Sequence, residues 1–140
     1  MNERLGLPSC PYVVRWRIET PWWSVRLHHW LAPDDARSRH DHPWSFVTFV
    51  LRGGYTDAGE CPLTCLNRLA PRCVVHDEHL RAPAVRYRDA SHKHTVFPDE
   101  GGAWTIIVTG PKVRQWGFWV KDKFVKANKY FLSHGHHPCD

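Results

Sequence analysis

The sequence lacks long apolar runs, a charged-then-apolar leader and a dense cysteine framework. Without a long apolar run there is no candidate membrane span, and without such a leader we expect no secretion signal. The five cysteines are an odd number, which favours a reducing compartment and a cytoplasmic location. A zinc site built from Cys61, Cys65, Cys73 and His76 is an alternative, but Cys-x3-Cys followed by an irregular pair is a weak motif.

The charge of the chain favours anionic partners. The formal net charge is +5 and the isoelectric point is about 9.1, which does not by itself choose between nucleic acid and small acids. Basic residues are scattered, and no glycine-flanked aromatic motif of the RNA-binding kind is present. We therefore expect a small anionic substrate and no nucleic-acid partner.

The residues that are abundant indicate one folded β domain. A chain of 140 residues suits a single domain, and eight tryptophans with 42% hydrophobic residues argue against disorder. Alternating patterns predict short strands at 12–19, 23–31, 45–51, 55–57, 73–79, 84–88, 91–97, 103–109 and 115–121. This spacing favours an antiparallel sandwich or barrel.

The other segments are predicted from turn residues and from helical periodicity. Gly53-Gly54 predicts a tight hairpin, and 98–102 predicts another turn. Residues 1–11 are interpreted as a lead-in, and 133–140 as a flexible tail. A short C-terminal helix is predicted at 124–132.

A His-Asp-His tract precedes the predicted buried strand at 45–51. Side chains two residues apart in an extended segment share a face, so His40 and His42 point into the same space. Two imidazoles placed in this way form half of a metal site. Asp41 would point away from the ion, which suits a role in orienting the loop.

This tract resembles the first motif of the cupin superfamily, Gly-x5-His-x-His-x3,4-Glu-x6-Gly. The matching positions are His40, His42 and Gly53 or Gly54, while Asp34 replaces the leading glycine. The motif's glutamate falls on Phe46 or Val47, neither of which can bind a metal. The tract is also similar to that of cysteine dioxygenases, which are cupins that hold iron with three histidines and lack the glutamate. The resemblance implies a jelly-roll barrel with a three-histidine site.

A second histidine pair lies further along the chain, where His92 and His94 share one face of a predicted strand. The second cupin motif, Pro-x-Gly-x-x-His-x3-Asn, brings one histidine from a neighbouring strand to the metal. His92 is preferred because the polar turn Asp89-Ala90-Ser91 precedes it, as the motif's turn does. Both imidazoles would project the same way, so His94 stays open as the third ligand.

The closing run from Trp104 to Trp119 widens the resemblance. Its Trp-Thr, Gly-Pro and Trp-Gly-Phe elements, together with the Arg15-Trp16 strand and the His-Asp-His-Pro-Trp tract, are similar to small cupin-like proteins of bacteria and their phages. The likeness covers most of the chain. It implies the fold but no particular reaction. It also leaves open whether two barrels pair as a homodimer, as many cupins do.

Three neutral imidazoles suit one divalent ion, whether Fe(II), Zn(II), Mn(II), Ni(II) or Cu(II). Three protein ligands also leave the open positions that a catalytic metal requires. By likeness to cysteine dioxygenase, we expect Fe(II) and a dioxygenase that passes oxygen to a small anionic substrate. The alternative is a non-redox cupin, namely a zinc or manganese isomerase, a hydrolase or a ligand-binding protein.

Side chains that would serve the substrate lie on other predicted strands. An inward guanidinium would clamp a carboxylate or phosphate with two hydrogen bonds, whereas a solvated face is the alternative for each arginine. The candidates are Arg15, Arg17, Arg26 and Arg88. Candidate catalytic side chains near the metal are His28, Tyr55 and Tyr87, with ordinary packing as the alternative for each.

Overall fold

The computed structural model describes residues 2–34, 38–59, 76–121 and 123–135, and these form ten strands and one short helix. The elements are β1 (Asn2–Leu7), β2 (Cys10–Glu19), β3 (Ser24–Trp30), β4 (Arg39–His40), β5 (Phe46–Gly59), β6 (His76–Arg81), β7 (Ala84–Arg88), β8 (His94–Thr109), β9 (Gly117–Val120), β10 (Lys123–Lys126) and α1 (Ala127–His134).

The strands form one curled antiparallel sheet, a half-barrel. Its main path runs in the order β1-β2-β3-β8-β4-β9-β10, and β5 pairs with β6, β7 and β8. The prediction of an all-β, barrel-like antiparallel fold with one short helix is confirmed. Because β4 lies between β8 and β9, the His-Asp-His tract is inserted between strands that come much later in the chain.

Two long strands, β5 and β8, pair with each other along most of their length and organise the sheet. Their register is irregular around Gly53, whose φ of 70° lies in the left-handed region that favours glycine. The chain does not reverse there, so the predicted hairpin at Gly53-Gly54 is wrong. The predicted turn at 98–102 is wrong for the same reason, because these residues lie inside β8.

Both ends of the chain differ from the sequence prediction. The lead-in at 1–11 contains β1 and the beginning of β2, while β10 occupies the start of the predicted helix. Tyr130 in α1 is fully buried and stacks on Phe118 with ring centroids 3.8 Å apart. The predicted flexible tail begins inside α1, and its residues 136–140 lie outside the described residues. Three of the four candidate zinc ligands, Cys61, Cys65 and Cys73, also lie outside them.

Polar side chains line the inner face of the sheet, and aromatic side chains cover part of the outer face. In β3, buried and less buried residues alternate, and Arg26 and His28 are among the buried ones. On the outer face, Trp16 and His29 stack on Trp104 with centroids 5.9 Å and 4.2 Å apart. Alternation thus places the cationic residues inside the half-barrel.

Cys10 is disulfide-bonded, which differs from the reducing environment that cysteine usage favours. Within the described ranges, no helix has both the length and the apolar character needed to cross a bilayer.

Candidate metal centre

Three histidines meet where β4 pairs with β8. His40 and His94 are partners across these two strands, and His42 follows β4 by two residues. Ligand nitrogens of the three residues all lie within 4.8 Å of one another, and Nε2 of His42 is 2.8 Å from Nε2 of His94. The structure therefore brings the His-x-His pair together with one histidine of the second pair. That residue is His94, whereas the preceding turn favoured His92.

Asp41 holds the loop that carries the first histidine pair. Its side chain is fully buried, and Oδ1 accepts a hydrogen bond from the backbone N–H of Gly117 at 2.9 Å. Oδ2 accepts a hydrogen bond from Nε1 of Trp119 at 2.9 Å and pairs with Arg114 at 3.0 Å. These contacts tie the loop to β9 and to the segment before it, which suits the orienting role expected from the sequence.

A buried carboxylate that the sequence analysis missed, Asp57, orients His94. Oδ2 of Asp57 lies 2.9 Å from Nδ1 of His94, so Nε2 is the nitrogen directed at His42. Burial opposes ionisation of Asp57, but hydrogen bonds from His92 and His94 hold its pKa well below the usual value. A carboxylate on the far nitrogen is the arrangement that fixes the tautomer of metal-binding histidines.

His92 belongs to the support of this carboxylate. Its Nε2 lies 2.9 Å from Oδ1 of Asp57, and Arg88 pairs with Oδ2 at 3.1 Å. Asp57, His92 and His94 also have ligand atoms within 4.8 Å of one another. However, the Arg88 guanidinium already neutralises Asp57, and a second cation there would be repelled. The three-histidine cluster is therefore the better candidate centre.

A second carboxylate, Asp34, lies close to His40. Its buried Oδ2 lies 3.5 Å from Nδ1 of His40, and Oδ1 accepts a hydrogen bond from the backbone N–H of Val96 at 3.0 Å. At 3.5 Å the carboxylate lies near His40 without a hydrogen bond between these two atoms. A carboxylate thus lies close to Nδ1 of two of the three histidines, His40 and His94.

The surroundings of His42 keep its imidazole neutral. Trp44 stacks on its ring at 5.0 Å, and Phe46 meets it edge-on at 4.7 Å. Burial, together with the charges of His94 and His40, holds the pKa of His42 well below its usual value. A neutral imidazole is the form that binds a metal ion.

The donor set fits a divalent ion. Histidine nitrogens bind such ions at about 2.0–2.1 Å, so two of them at right angles lie about 3 Å apart. The 2.8 Å separation of the Nε2 atoms of His42 and His94 is close to this spacing.

A cavity of about 580 Å³ lies beside the histidines, and three of the four predicted arginines line it. Arg15 and Arg17 pair with Glu3, and Arg17 and Arg26 pair with Glu19. Three guanidiniums therefore share two carboxylates, which leaves positive charge facing the cavity.

Arg26 is the most buried of these three arginines. Its Nε donates a hydrogen bond to Oγ of Ser24 at 3.0 Å, and its guanidinium lies 4.6 Å from the centre of the Trp44 ring. Burial lowers the pKa of Arg26 to about 10. The side chain therefore stays charged at neutral pH while being held in one orientation.

Arg88 and Tyr87 do not line the cavity, contrary to the sequence prediction. Arg88 is occupied by Asp57 and by Glu78, whose Oε2 lies 2.9 Å from Nη2. Tyr87 is 61% exposed and points to the other side of β7. Arg88 therefore contacts Asp57, the carboxylate that orients His94, and the exposed Tyr87 does not reach the centre.

Tyr55 and His28 do line the cavity, and their catalytic roles stay predictions from the sequence. Burial raises the pKa of Tyr55 to about 12, so its hydroxyl remains protonated, and it bonds to Thr48. Burial, with the charges of Arg15 and Arg26, lowers the pKa of His28 to about 3. Neither ring nitrogen of His28 has a hydrogen-bond partner among the described residues.

No family model matches this sequence, and no curated protein sequence matches it. Solved structures do match. Lactobacillus farciminis oxalate decarboxylase, in a formate complex, gives a TM-score of 0.60 at 10% identity, covering 96% of this chain and 35% of that chain. The iron(II) form of HppE gives 0.56 at 15% identity, covering 77% of this chain and 56% of that chain. KdgF from Halomonas sp. gives 0.55 at 12% identity, covering 78% of this chain and 95% of that chain.

The chain thus spans only about a third of the decarboxylase and about half of HppE, but nearly all of KdgF. These three neighbours share the cupin fold. At such low identities the likeness concerns the fold, and it agrees with the curled antiparallel sheet. The chain therefore adopts the fold of the cupin superfamily.

Proposed function

We propose that this chain is a mononuclear metal-binding cupin whose ion is held by His40, His42 and His94. The convergence of their nitrogens within 4.8 Å, beside a basic cavity, carries the proposal. Three protein ligands leave coordination positions for a substrate and a second reactant. The carboxylates of Asp34 and Asp57 would orient two of the ligands and raise their basicity.

The proposed reaction is Fe(II)-dependent oxygen transfer to a small anionic substrate. Support comes from the three-histidine donor set without a carboxylate ligand, and from the likeness to HppE, which is described in its Fe(II) form. When bound, Fe(II) would supply the redox chemistry. The second candidate is a non-redox manganese enzyme, because a Bacillus subtilis oxalate decarboxylase of the same fold is described with Mn(II) centres.

The residues of the cavity would bind the substrate and keep water out. Arg15, Arg17 and Arg26 would take its acid group, since guanidinium forms paired hydrogen bonds to carboxylate and phosphate. Tyr55 would hold a proton on its hydroxyl for a hydrogen bond to the bound molecule. Trp44, packed beside His42, would shield the reacting end from solvent.

Metal analysis tests the centre directly. Protein purified without a histidine tag is compared with a His40→Ala, His42→Ala double variant, and with His29→Ala as a matched control on the outer face. We expect stoichiometric metal in the wild type and in the control, and its loss in the double variant. Circular dichroism should show that all three keep their fold. Stoichiometric metal in the double variant would refute the site.

Oxygen uptake separates the two candidate reactions. The protein is loaded with Fe(II), Mn(II) or Zn(II), and O2 consumption is followed with a panel of small acids and thiols. If the protein is a dioxygenase, the Fe(II)-loaded wild type should consume O2, whereas the Mn(II)- and Zn(II)-loaded forms and the double variant should not. Absence of uptake across the panel would favour the non-redox candidate.

A further inference from the structure

Three unpartnered polar atoms lie together on the inner face of the sheet. They are Nδ1 and Nε2 of His28 and Oγ1 of Thr105, and none has a hydrogen-bond partner among the described residues. His28 in β3 and Thr105 in β8 are direct partners across the two strands, and both line the cavity. His28 is 7% exposed and Thr105 is 0% exposed.

Buried polar groups in proteins are nearly always hydrogen-bonded, because leaving one unpaired forfeits the hydrogen bonds it makes to water. Val, Phe or Leu at these positions would avoid that loss, and Val50 beside Thr105 shows that the inner face accepts such residues. Two adjacent residues with unmet hydrogen-bonding capacity therefore point to a molecule that enters the cavity and supplies the partners.

The chemistry of the pair specifies what it would bind. Burial keeps His28 neutral, so the ring offers one N–H donor and one acceptor nitrogen, and the Thr105 hydroxyl also does both. A carboxylate or phosphate only accepts hydrogen bonds, and the neighbouring arginines suit it better. An uncharged oxygen group, hydroxyl or carbonyl, suits the pair.

The register of the sheet places this pair next to the arginines. Arg15 is the partner of His28 across β2 and β3, so Arg15, His28 and Thr105 lie in one row. Arg17 is the partner of Arg26 in the next row that faces the cavity. A molecule whose acid group lies on these arginines would bring the substituent on its neighbouring carbon to His28 and Thr105.

We propose that His28 and Thr105 form a specificity subsite that selects an acid carrying a hydroxyl or carbonyl oxygen next to its acid group. The subsite rests on the proposed function for the placement of the acid at the arginines. It extends that function by naming the substrate class, a hydroxy or keto acid rather than a plain carboxylic acid.

Binding of acids that differ at one carbon tests the subsite. Propionate, lactate and pyruvate form one series, and succinate and malate form a second, each titrated calorimetrically into the full chain. We expect the wild type to bind lactate or pyruvate about tenfold or more tightly than propionate, and malate more tightly than succinate. Comparison of lactate with pyruvate decides between hydroxyl and carbonyl. Absence of any such preference would overturn the proposal.

Variants assign the preference to the pair. His28→Phe and Thr105→Val should lose the discrimination while keeping the weaker affinity for propionate and succinate. The matched controls are His29→Phe, on the opposite face of the same strand, and Thr56→Val in β5, neither of which lines the cavity. Both controls should discriminate as the wild type does. Undiminished discrimination in His28→Phe would overturn the subsite.

Thermal stability separates ligand binding from a structural role. If the pair serves only the fold, His28→Phe and Thr105→Val should lower the melting temperature. If it is kept for a ligand, removing its unmet polar atoms should leave the melting temperature equal or higher. A marked loss of stability in both variants, without loss of discrimination, would count against the proposal.

Repeating the titrations with metal-free protein distinguishes this inference from the metal proposal. A preference that persists without metal and disappears in His28→Phe supports the subsite, even if the three histidines prove to hold no ion. A preference that requires metal and survives His28→Phe would place the oxygen on the ion, and the subsite would be overturned.

Discussion

Asp57 is the residue on which the orientation of His94 depends, and its removal has two expected effects. Asp57→Asn would remove one of the two carboxylates that pair with Arg88 and the charged acceptor of His92 and His94, so we expect a loss of about 2 kcal/mol in the free energy of unfolding. It would also release Nδ1 of His94, and we expect metal affinity to fall about 10- to 100-fold. Chemical denaturation and metal titration measure the two effects.

An exposed carboxylate provides the control for this variant. Asp99 pairs with His79 at 2.9 Å, but both side chains are substantially exposed. Asp99→Asn should therefore change stability by less than about 1 kcal/mol and leave metal affinity unchanged. Equal effects of the two substitutions would contradict the assigned role of Asp57.

His28 should make stability depend on pH. Its pKa is about 3 in the folded chain and about 6.5 when unfolded, so below about pH 6.5 the unfolded chain binds a proton that the folded chain does not. Stability should therefore fall as pH decreases from about 6.5 towards 3. Between pH 7.5 and pH 5, the wild type should lose about 2 kcal/mol more than His28→Phe. Equal losses in urea titrations at the two pH values would contradict this prediction.

Residues adjacent in sequence were easier to predict than those brought together by the fold. His40 and His42 share a face in any extended segment, so their pairing follows from spacing alone. Asp57 reaches His94 from a residue 37 positions away, and no local pattern indicates that contact. Plain alternation from the buried Thr48 and Val50 would have put Tyr55 and Asp57 on the outer face, and only the irregular register around Gly53 turns them inward. The choice of His94 over His92 likewise depended on the register between β4 and β8.

At the scale of elements, Gly53 is the position where β5 and β8 most need glycine. Its φ is 70°, and a Cβ there would overlap the carbonyl oxygen of Gly102. We expect Gly53→Ala to lower the free energy of unfolding by about 2–4 kcal/mol, since the backbone of β8 would have to move. Urea denaturation measures the change.

Gly101 is a matched control because its φ is 88° and nothing lies within 4 Å of a Cβ at this position. Gly101→Ala should cost only the backbone strain, about 1 kcal/mol. A similar loss in the two variants would mean that packing against β8 does not determine the effect at Gly53.

Alternation predicted which side chains share a face, but not which face would be buried. Arg15 with Arg17, and Arg26 with His28, were grouped correctly. The usual expectation is that apolar residues face inward. Here the inner face encloses a cavity with cationic residues, and Ile18 is 68% exposed on the outer face. A cavity lined by charged side chains thus reverses the pattern of polar and apolar residues from which burial is normally inferred.

For the whole molecule, binding of an ion should stabilise the fold. An ion that binds only the folded chain adds about 2.7 kcal/mol when its free concentration is 100 times its dissociation constant. We expect Fe(II), under anaerobic conditions, to raise the melting temperature of the wild type but not that of the His40→Ala, His42→Ala variant. A chelator should reverse the increase. Equal shifts in the two proteins would show that the ion binds elsewhere.

The positive charge of the chain has a specific location in the molecule. Arg15, Arg17 and Arg26 face the cavity and are shared between Glu3 and Glu19, so their charge is directed into the cavity. A nucleic-acid partner is therefore not proposed. Single-domain organisation, a cytoplasmic location and pairing of two barrels stay predictions from the sequence.

One strand, β8, carries residues of both proposed ligand contacts. His94 lies at its beginning and Thr105 near its end, and Gly101 and Gly102, both with positive φ, lie between them. A bound molecule that reaches from the ion to Thr105 would contact both halves of β8, on either side of Gly101 and Gly102. Amide hydrogen exchange at residues 101 and 102 should then slow on binding. The exchange rate at these two glycines would therefore measure ligand binding without a label on the ligand.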